Sequence, residues 1–153
     1  MSTTQQPAGI DPRGPRFGAT ITNVFSIIIF YLALDDATND TAFNILLLVT
    51  ALFAIGAIFG TSRHPFGLIY RSWVKPRLSA PKELEDPRPP KFAQAVGLVV
   101  SLVGVVLNLL GVQYGVAIAG GALFAASFLQ AYFGYCLGCQ IYIGLRRIGI
   151  IRA

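Results

Sequence analysis

The sequence predicts an all-α membrane protein: four transmembrane helices forming two helical hairpins of one repeated plan, both termini on the same side. Three observations predict it. The composition is apolar, four uncharged stretches have membrane-spanning length, and every basic residue falls on one face. Mean hydropathy is +0.63, and only 12% of the 153 residues are charged. Such a chain has too little polar surface for an ordinary soluble globule.

Residues 1–10 are polar and contain Pro and Gly, which predicts a mobile tail ahead of a single membrane domain over 11–153. They lack a basic start and an apolar core, so no cleavable signal peptide is expected and the first span would serve as its own insertion signal. The predicted spans are 17–34, 41–60, 92–110 and 116–136, none of which contains Asp, Glu, Lys, Arg or His. Each is close to the ~20 residues a helix needs to cross about 30 Å of hydrocarbon.

All 12 Lys and Arg residues lie before the first span, between the second and third, or after the fourth. The positive-inside rule then places both termini in the cytoplasm. The opposite face carries Asp35, Asp36 and Asp40 in one short loop. A pI near 9.6 would suggest nucleic acid in a soluble protein; here membrane orientation accounts for the excess, and no nucleic-acid partner is expected.

Asp11-Pro12-Arg13-Gly14-Pro15-Arg16-Phe17 recurs as Asp86-Pro87-Arg88-Pro89-Pro90-Lys91-Phe92, with five of seven positions identical. Each copy leads into one span that is followed by a second, which predicts repeat halves of about 11–85 and 86–153. With an even number of spans in each half, a pseudo-two-fold axis would run along the membrane normal. That symmetry predicts crossed ion pairs at the rim, Asp11 with Arg88 and Asp86 with Arg13.

Between the halves, Phe66, Ile69, Tyr70 and Trp73 stand at i, i+3, i+4 and i+7. This spacing predicts a short interfacial helix with one aromatic face, its Arg71 and Lys75 reaching the headgroups. Pro81, Pro87, Pro89 and Pro90 predict an extended, solvated stretch over 79–90. Small residues at helical intervals, such as Gly56 with Gly60 and Gly97 with Ser101, predict close helix contacts. Gly138 is set apart from them as a candidate helix breaker.

The only two cysteines form Cys136-Leu137-Gly138-Cys139 near the end of the uncharged run 111–145. The fourth span brings them to the cytoplasmic edge of the bilayer, where a permanent disulfide is disfavoured and a reversible dithiol or a metal site fits better. Inert packing of two small apolar side chains stays open. Near the end of a continuous helix both dipole and burial disfavour thiolate; were the helix to break at Gly134 and Gly138, Cys139 would open a new turn whose free amides favour it. A shift of 75 positions aligns the two Asp-Pro-Arg segments and sets His64 opposite Cys139 and Arg71 opposite Arg146. His64 and Arg146 are therefore the candidate cations beside the thiols.

Several function classes are disfavoured. No Asp, Glu or His lies within the spans for proton coupling, and one histidine cannot supply two haem ligands. Two thiolates with His64 give at most three ligands to a zinc or copper ion, so a metal is the weaker expectation. No phosphate loop or serine triad is present.

The two Asp-Pro-Arg segments, with Gly18-Ala19 and Ala93-Gln94 beyond them, Arg63-His64-Pro65-Phe66-Gly67 and the Cys136–Cys139 motif together resemble an uncharacterised bacterial integral-membrane family, domain of unknown function 4395. The resemblance runs from Asp11 to Arg147. It implies a membrane location and association with sulfur-handling proteins such as thioredoxin-like and rhodanese-like partners. The leading expectation is thiol-disulfide or sulfane-sulfur exchange at the cytoplasmic face. A quinone in the bundle would be the lipid-side electron acceptor, by analogy with other small membrane dithiol proteins. The alternatives are a non-enzymatic carrier or pore for a small sulfur compound or anion, and a scaffold that docks a soluble partner. Self-association is left open.

Overall fold

The computed structural model describes residues 9–152, so most of the predicted mobile tail lies outside the described residues. Six α-helices follow one another: α1 (Arg13–Leu32), α2 (Asp36–Phe59), α3 (Pro65–Ile69), α4 (Arg88–Leu109), α5 (Gly115–Phe133) and α6 (Leu137–Arg147). α1, α2, α4 and α5 are long and apolar enough to cross a membrane. There is no strand among the described residues. Ile10 and Glu85 form an isolated bridge, each N–H donating to the other's carbonyl over 2.9 Å.

Local chemistry sets the helix ends. The Asp11 carboxylate accepts the Arg13 N–H over 3.0 Å at the start of α1, and Asp86 accepts the Arg88 N–H over 2.9 Å at the start of α4. Pro89 and Pro90 fit the first turn of α4, where no N–H is needed. Asp35 caps α2 by accepting from the Ala37 N–H over 2.9 Å. α5 stops at Gly134, whose φ of 67° only glycine adopts readily.

The four long helices pair across the chain: α1 packs chiefly against α5, and α2 chiefly against α4. Ile29, Leu46, Val49, Val116 and Leu123 form the core between them. Without a hydrophobic drive between helices in lipid, close packing and interhelical hydrogen bonds hold such a bundle. Gly97 admits the Phe53 ring, and Gly120 lies against Ile29 and Phe30. The Asn23 amide donates to the Phe124 carbonyl and to Ser127 Oγ, each over 3.2 Å. Asn23→Ala is expected to lower bundle stability by about 1 kcal/mol, read as the shift of a denaturant titration in mixed micelles. An unmoved midpoint would show that this tie is energetically idle. Large apolar side chains on the outer faces, among them Ile27, Leu48, Val103 and Ile118, are exposed, as lipid-facing positions require.

Three expectations are corrected. The rim ion pairs are local and uncrossed: Arg13 Nη2 lies 2.9 Å from Asp11 and Arg88 Nη2 lies 2.8 Å from Asp86. Two residues of separation let each arginine fold back onto the carboxylate at the start of its own helix, closing only a short stretch of chain. The aromatic face of the interfacial segment is also split, because α3 continues as a wide π turn over Tyr70–Val74. That turn rotates Trp73 outward to 71% exposure while Tyr70 stays 3% exposed. Finally, α5 ends at Phe133 instead of continuing to Cys136, and the cysteines belong to a separate helix. The 79–90 stretch is non-helical as far as Pro87, but it is tied down by Arg13 Nη2 donating to the Ser79 carbonyl over 2.8 Å and by the Ile10–Glu85 bridge.

Candidate functional site

The chain leaves α5 through Gly134 with the Gly134 and Tyr135 N–H groups donating to the Gln130 and Leu129 carbonyls, each over 3.1 Å. Arg16 adds a guanidinium at this end, donating to the Ala131 carbonyl over 3.5 Å. The chain then re-enters helix at once. Cys136 is the N-cap of α6, and its Sγ accepts the Cys139 N–H over 3.2 Å. Both cysteines are half-buried. Their sulfurs lie at bonding distance, with the Cα atoms 5.1 Å apart, inside the range a disulfide bridges.

α6 is seated on α4. Gly138 allows this: a Cβ there would stand 2.5 Å from Ala93 Cα and 2.6 Å from Ala93 Cβ. The close-contact role given to the other glycines therefore belongs to Gly138 as well, and Gly134 is the breaker. One turn further, Tyr142 is buried against Phe92 with ring centroids 5.6 Å apart. A similar contact is made by the interfacial segment, where Tyr70 meets Phe17 at 5.8 Å.

His64 occupies the N-cap of α3, and its Nδ1 accepts the Phe66 N–H over 3.2 Å. This bond leaves the imidazole proton on Nε2. Burial pushes the imidazole below its usual pKa, with the Leu52 carbonyl pulling in the opposite direction, so the side chain is neutral near pH 7. No hydrogen bond joins it to either cysteine among the described residues. The expected opposition of His64 and Cys139 also shifts. Phe17 and Phe92 stand 75 positions apart, but Tyr70 and Tyr142, like the two helix caps His64 and Cys136, stand 72 apart. Counted on that spacing, the cap position that His64 holds in α3 is held in α6 by Cys136.

Arg146 stands in the last turn of α6, about 10 Å along the axis from Cys139 at 1.5 Å per residue. Its charge acts on Asp86, whose carboxyl is held below the usual range first by hydrogen bonds from Arg88 and also by Arg146. Arg146 thus belongs to the rim with Asp86 and Arg88. At the matching corner Asp11 is likewise held low, first by Arg13, and its Oδ2 also accepts the Tyr70 hydroxyl over 2.9 Å.

A cavity of about 450 Å³ runs between the helices from this end of the bundle, with Cys136, Leu137 and Gly138 in one wall and His64 in another. Its charged lining residues, Asp11, Arg71 and Lys75, come from the chain before α1 and from the segment after α3. Along the long helices it is lined by apolar groups together with Thr22, Gln94, Ser127 and Gln130, and it reaches Phe25, Val49, Val100 and Leu123. Gln94 is the residue that sequence reasoning passed over. Gln94 is among the residues that line the cavity, and its Oε1, held over Gly56, is buried with no hydrogen-bond partner among the described residues. A neutral polar residue within an apolar span carries no signal until its surroundings are known. No group of three or more potential metal ligands occurs among the described residues.

A family model described as "Domain of unknown function (DUF4395)" matches residues 10–147, from the Ile10 bridge to the end of α6. No curated protein and no solved structure matches the chain.

Proposed function

The chain belongs to the DUF4395 family, and from that premise we propose that it is a membrane dithiol protein that exchanges thiols and disulfides with a cytoplasmic thioredoxin-like or sulfurtransferase partner. The carrying observation is the placement of Cys136 as the cap of α6, with Cys139 in the first turn and its N–H on the Cys136 sulfur. Free amides at a helix N-terminus favour anionic sulfur, which makes Cys136 a good leaving group. The basic ends of the helices lie in the cytoplasm of a bacterial inner membrane under the positive-inside rule. The matched Asp-Pro-Arg corners and matched Phe-Tyr pairs support two copies of one hairpin-plus-helix unit.

Cys136 lines the cavity and Cys139 does not, so Cys139 is the sulfur offered to the partner. A partner thiolate attacks Cys139; a mixed disulfide forms, the Cys136–Cys139 bond breaks, and Cys136 leaves as thiolate. The partner's second thiolate then attacks its own mixed-disulfide sulfur and releases Cys139. The protein is left as a dithiol and the partner as a disulfide. Run in reverse, the same steps reduce the partner. A carrier for small sulfur compounds has less support, because the cavity runs up against core residues such as Val49 and Leu123.

Cys136→Ser is expected to accumulate a mixed disulfide with the partner through Cys139, visible on non-reducing gels of intact cells and lost on reduction. Capture of no partner by Cys136→Ser or by Cys139→Ser would sink the exchange reaction.

A further inference from the structure

We propose that the cavity beside Cys136 binds a lipid-soluble quinone that accepts two electrons from the Cys136–Cys139 dithiol. This rests on the dithiol reading and deepens it by naming the second substrate. Four features select the ligand. The position is the first: the cavity has Cys136 in its wall and extends among four apolar helices, so a molecule dissolved in the bilayer can be brought to the sulfur. Size is the second, since about 450 Å³ suits one ring-sized head group and the start of a tail.

Charge is the third. Charged lining residues stand only outside the four long helices, while the deeper wall is formed by Thr22, Phe25, Phe53, Val100 and Leu123. A charged ligand there would lose its hydration without a counterion, so the occupant is neutral. The fourth feature is the Gln94 Oε1, buried in the wall without a partner among the described residues. An unpaired buried acceptor costs about 1–3 kcal/mol. The oxygen faces Gly56 as it stands; a turn of the side chain toward the cavity would let a hydroquinone hydroxyl donate to it, or let the amide N–H groups meet a quinone carbonyl. An acyl chain could do neither.

The reaction balances without any other reagent. One S–S bond forms between Cys136 and Cys139 and two S–H bonds are lost. The two electrons pass to the quinone ring, and the two protons end on its oxygens as O–H bonds. Cys136, in the cavity wall, is the sulfur next to the ring. Cys139 then closes the disulfide, and the partner restores the dithiol.

The test uses the full chain in lipid nanodiscs, reduced, freed of reductant and given decylubiquinone. Two readouts are followed in parallel: loss of quinone absorbance, and reaction of the dithiol with the soluble disulfide dithiobis(nitrobenzoate). The wild type is expected to yield one quinol per protein with loss of both thiols. Ala126→Phe, which places a ring in the cavity away from the cysteines, is expected to slow quinone reduction at least tenfold and leave the soluble reaction unchanged. Gln94→Leu, closer to the native volume, serves if the phenylalanine variant fails to fold, and is expected to raise the quinone concentration for half-maximal rate severalfold.

Quinone reduction at wild-type rate in Ala126→Phe and Gln94→Leu would overturn the site. So would a wild type that reacts with the soluble disulfide and reduces no quinone, in which case the exchange reading survives alone. A dithiol inert to both reagents removes both proposals.

Discussion

A leucine at position 138 is expected to prevent most of the chain from reaching a folded, monodisperse state. The atoms a new Cβ would meet are Ala93 Cα at 2.5 Å and Ala93 Cβ at 2.6 Å. Neither is the movable end of a long side chain. Overpacking a well-fitted site typically costs 1–3 kcal/mol when side chains can adjust; here α6 itself must lift from α4. Gly138→Ala is therefore expected to cost about 1–3 kcal/mol and Gly138→Leu more than about 3 kcal/mol. Thermal unfolding in detergent and the yield of monodisperse protein would measure both. Gly144, on the same helix with nothing near its Cβ position, is the control, and Gly144→Ala should melt with the wild type. A Gly138→Leu protein that also melts with the wild type would mean that α6 does not sit on α4 as described.

Asp11→Ala is expected to cost about 2–4 kcal/mol, while the equivalent Asp86→Ala costs less than about 1 kcal/mol. The two carboxylates share an arginine two residues on and differ in their surroundings. The Asp11 side chain is 5% exposed and that of Asp86 32% exposed. Asp11 also accepts the hydroxyl of the buried Tyr70, which its removal would leave unpaired. The sign of the pH dependence follows. Because the folded-state pKa of Asp11 is lowered, chiefly by Arg13, its contribution is complete above the ordinary carboxylate value near about pH 4. It is lost as pH falls through the lowered value. Melting temperatures of the wild type should thus drop as pH falls below about 4, and the Asp11→Ala protein should show a shallower drop. Equal losses from the two alanine variants would refute the difference between the corners.

The four long helices were legible in the sequence because uncharged stretches of this length admit few other structures. The end of the fourth was not. Phe133-Gly134-Tyr135-Cys136-Leu137-Gly138 stays apolar throughout, so hydropathy runs across the break, and two glycines with opposite roles look alike. Gly134 turns the chain through a left-handed conformation and Gly138 lets one helix rest on another. The rim residues were visible as a set, but symmetry suggested crossed pairs where a two-residue fold-back satisfies each carboxylate locally. The dithiol itself was plain from spacing, whereas its helix-capping geometry and the unpaired Gln94 amide appear only with the backbone in three dimensions. The opposition of His64 and Cys139 rested on the 75-position offset of the opening motifs, whereas the two helix caps, His64 and Cys136, stand 72 positions apart.

The exchange of neighbours between the two halves bears on how the protein is made. Since α1 leans on α5 and α2 on α4, the first two helices leave the ribosome before either principal companion exists. They must wait in the bilayer, loosely associated, until the last third of the chain is threaded. Maturation is then a late docking event, and a translation product cut short after α4 inserts the platform for α6 without acquiring α5 or the dithiol.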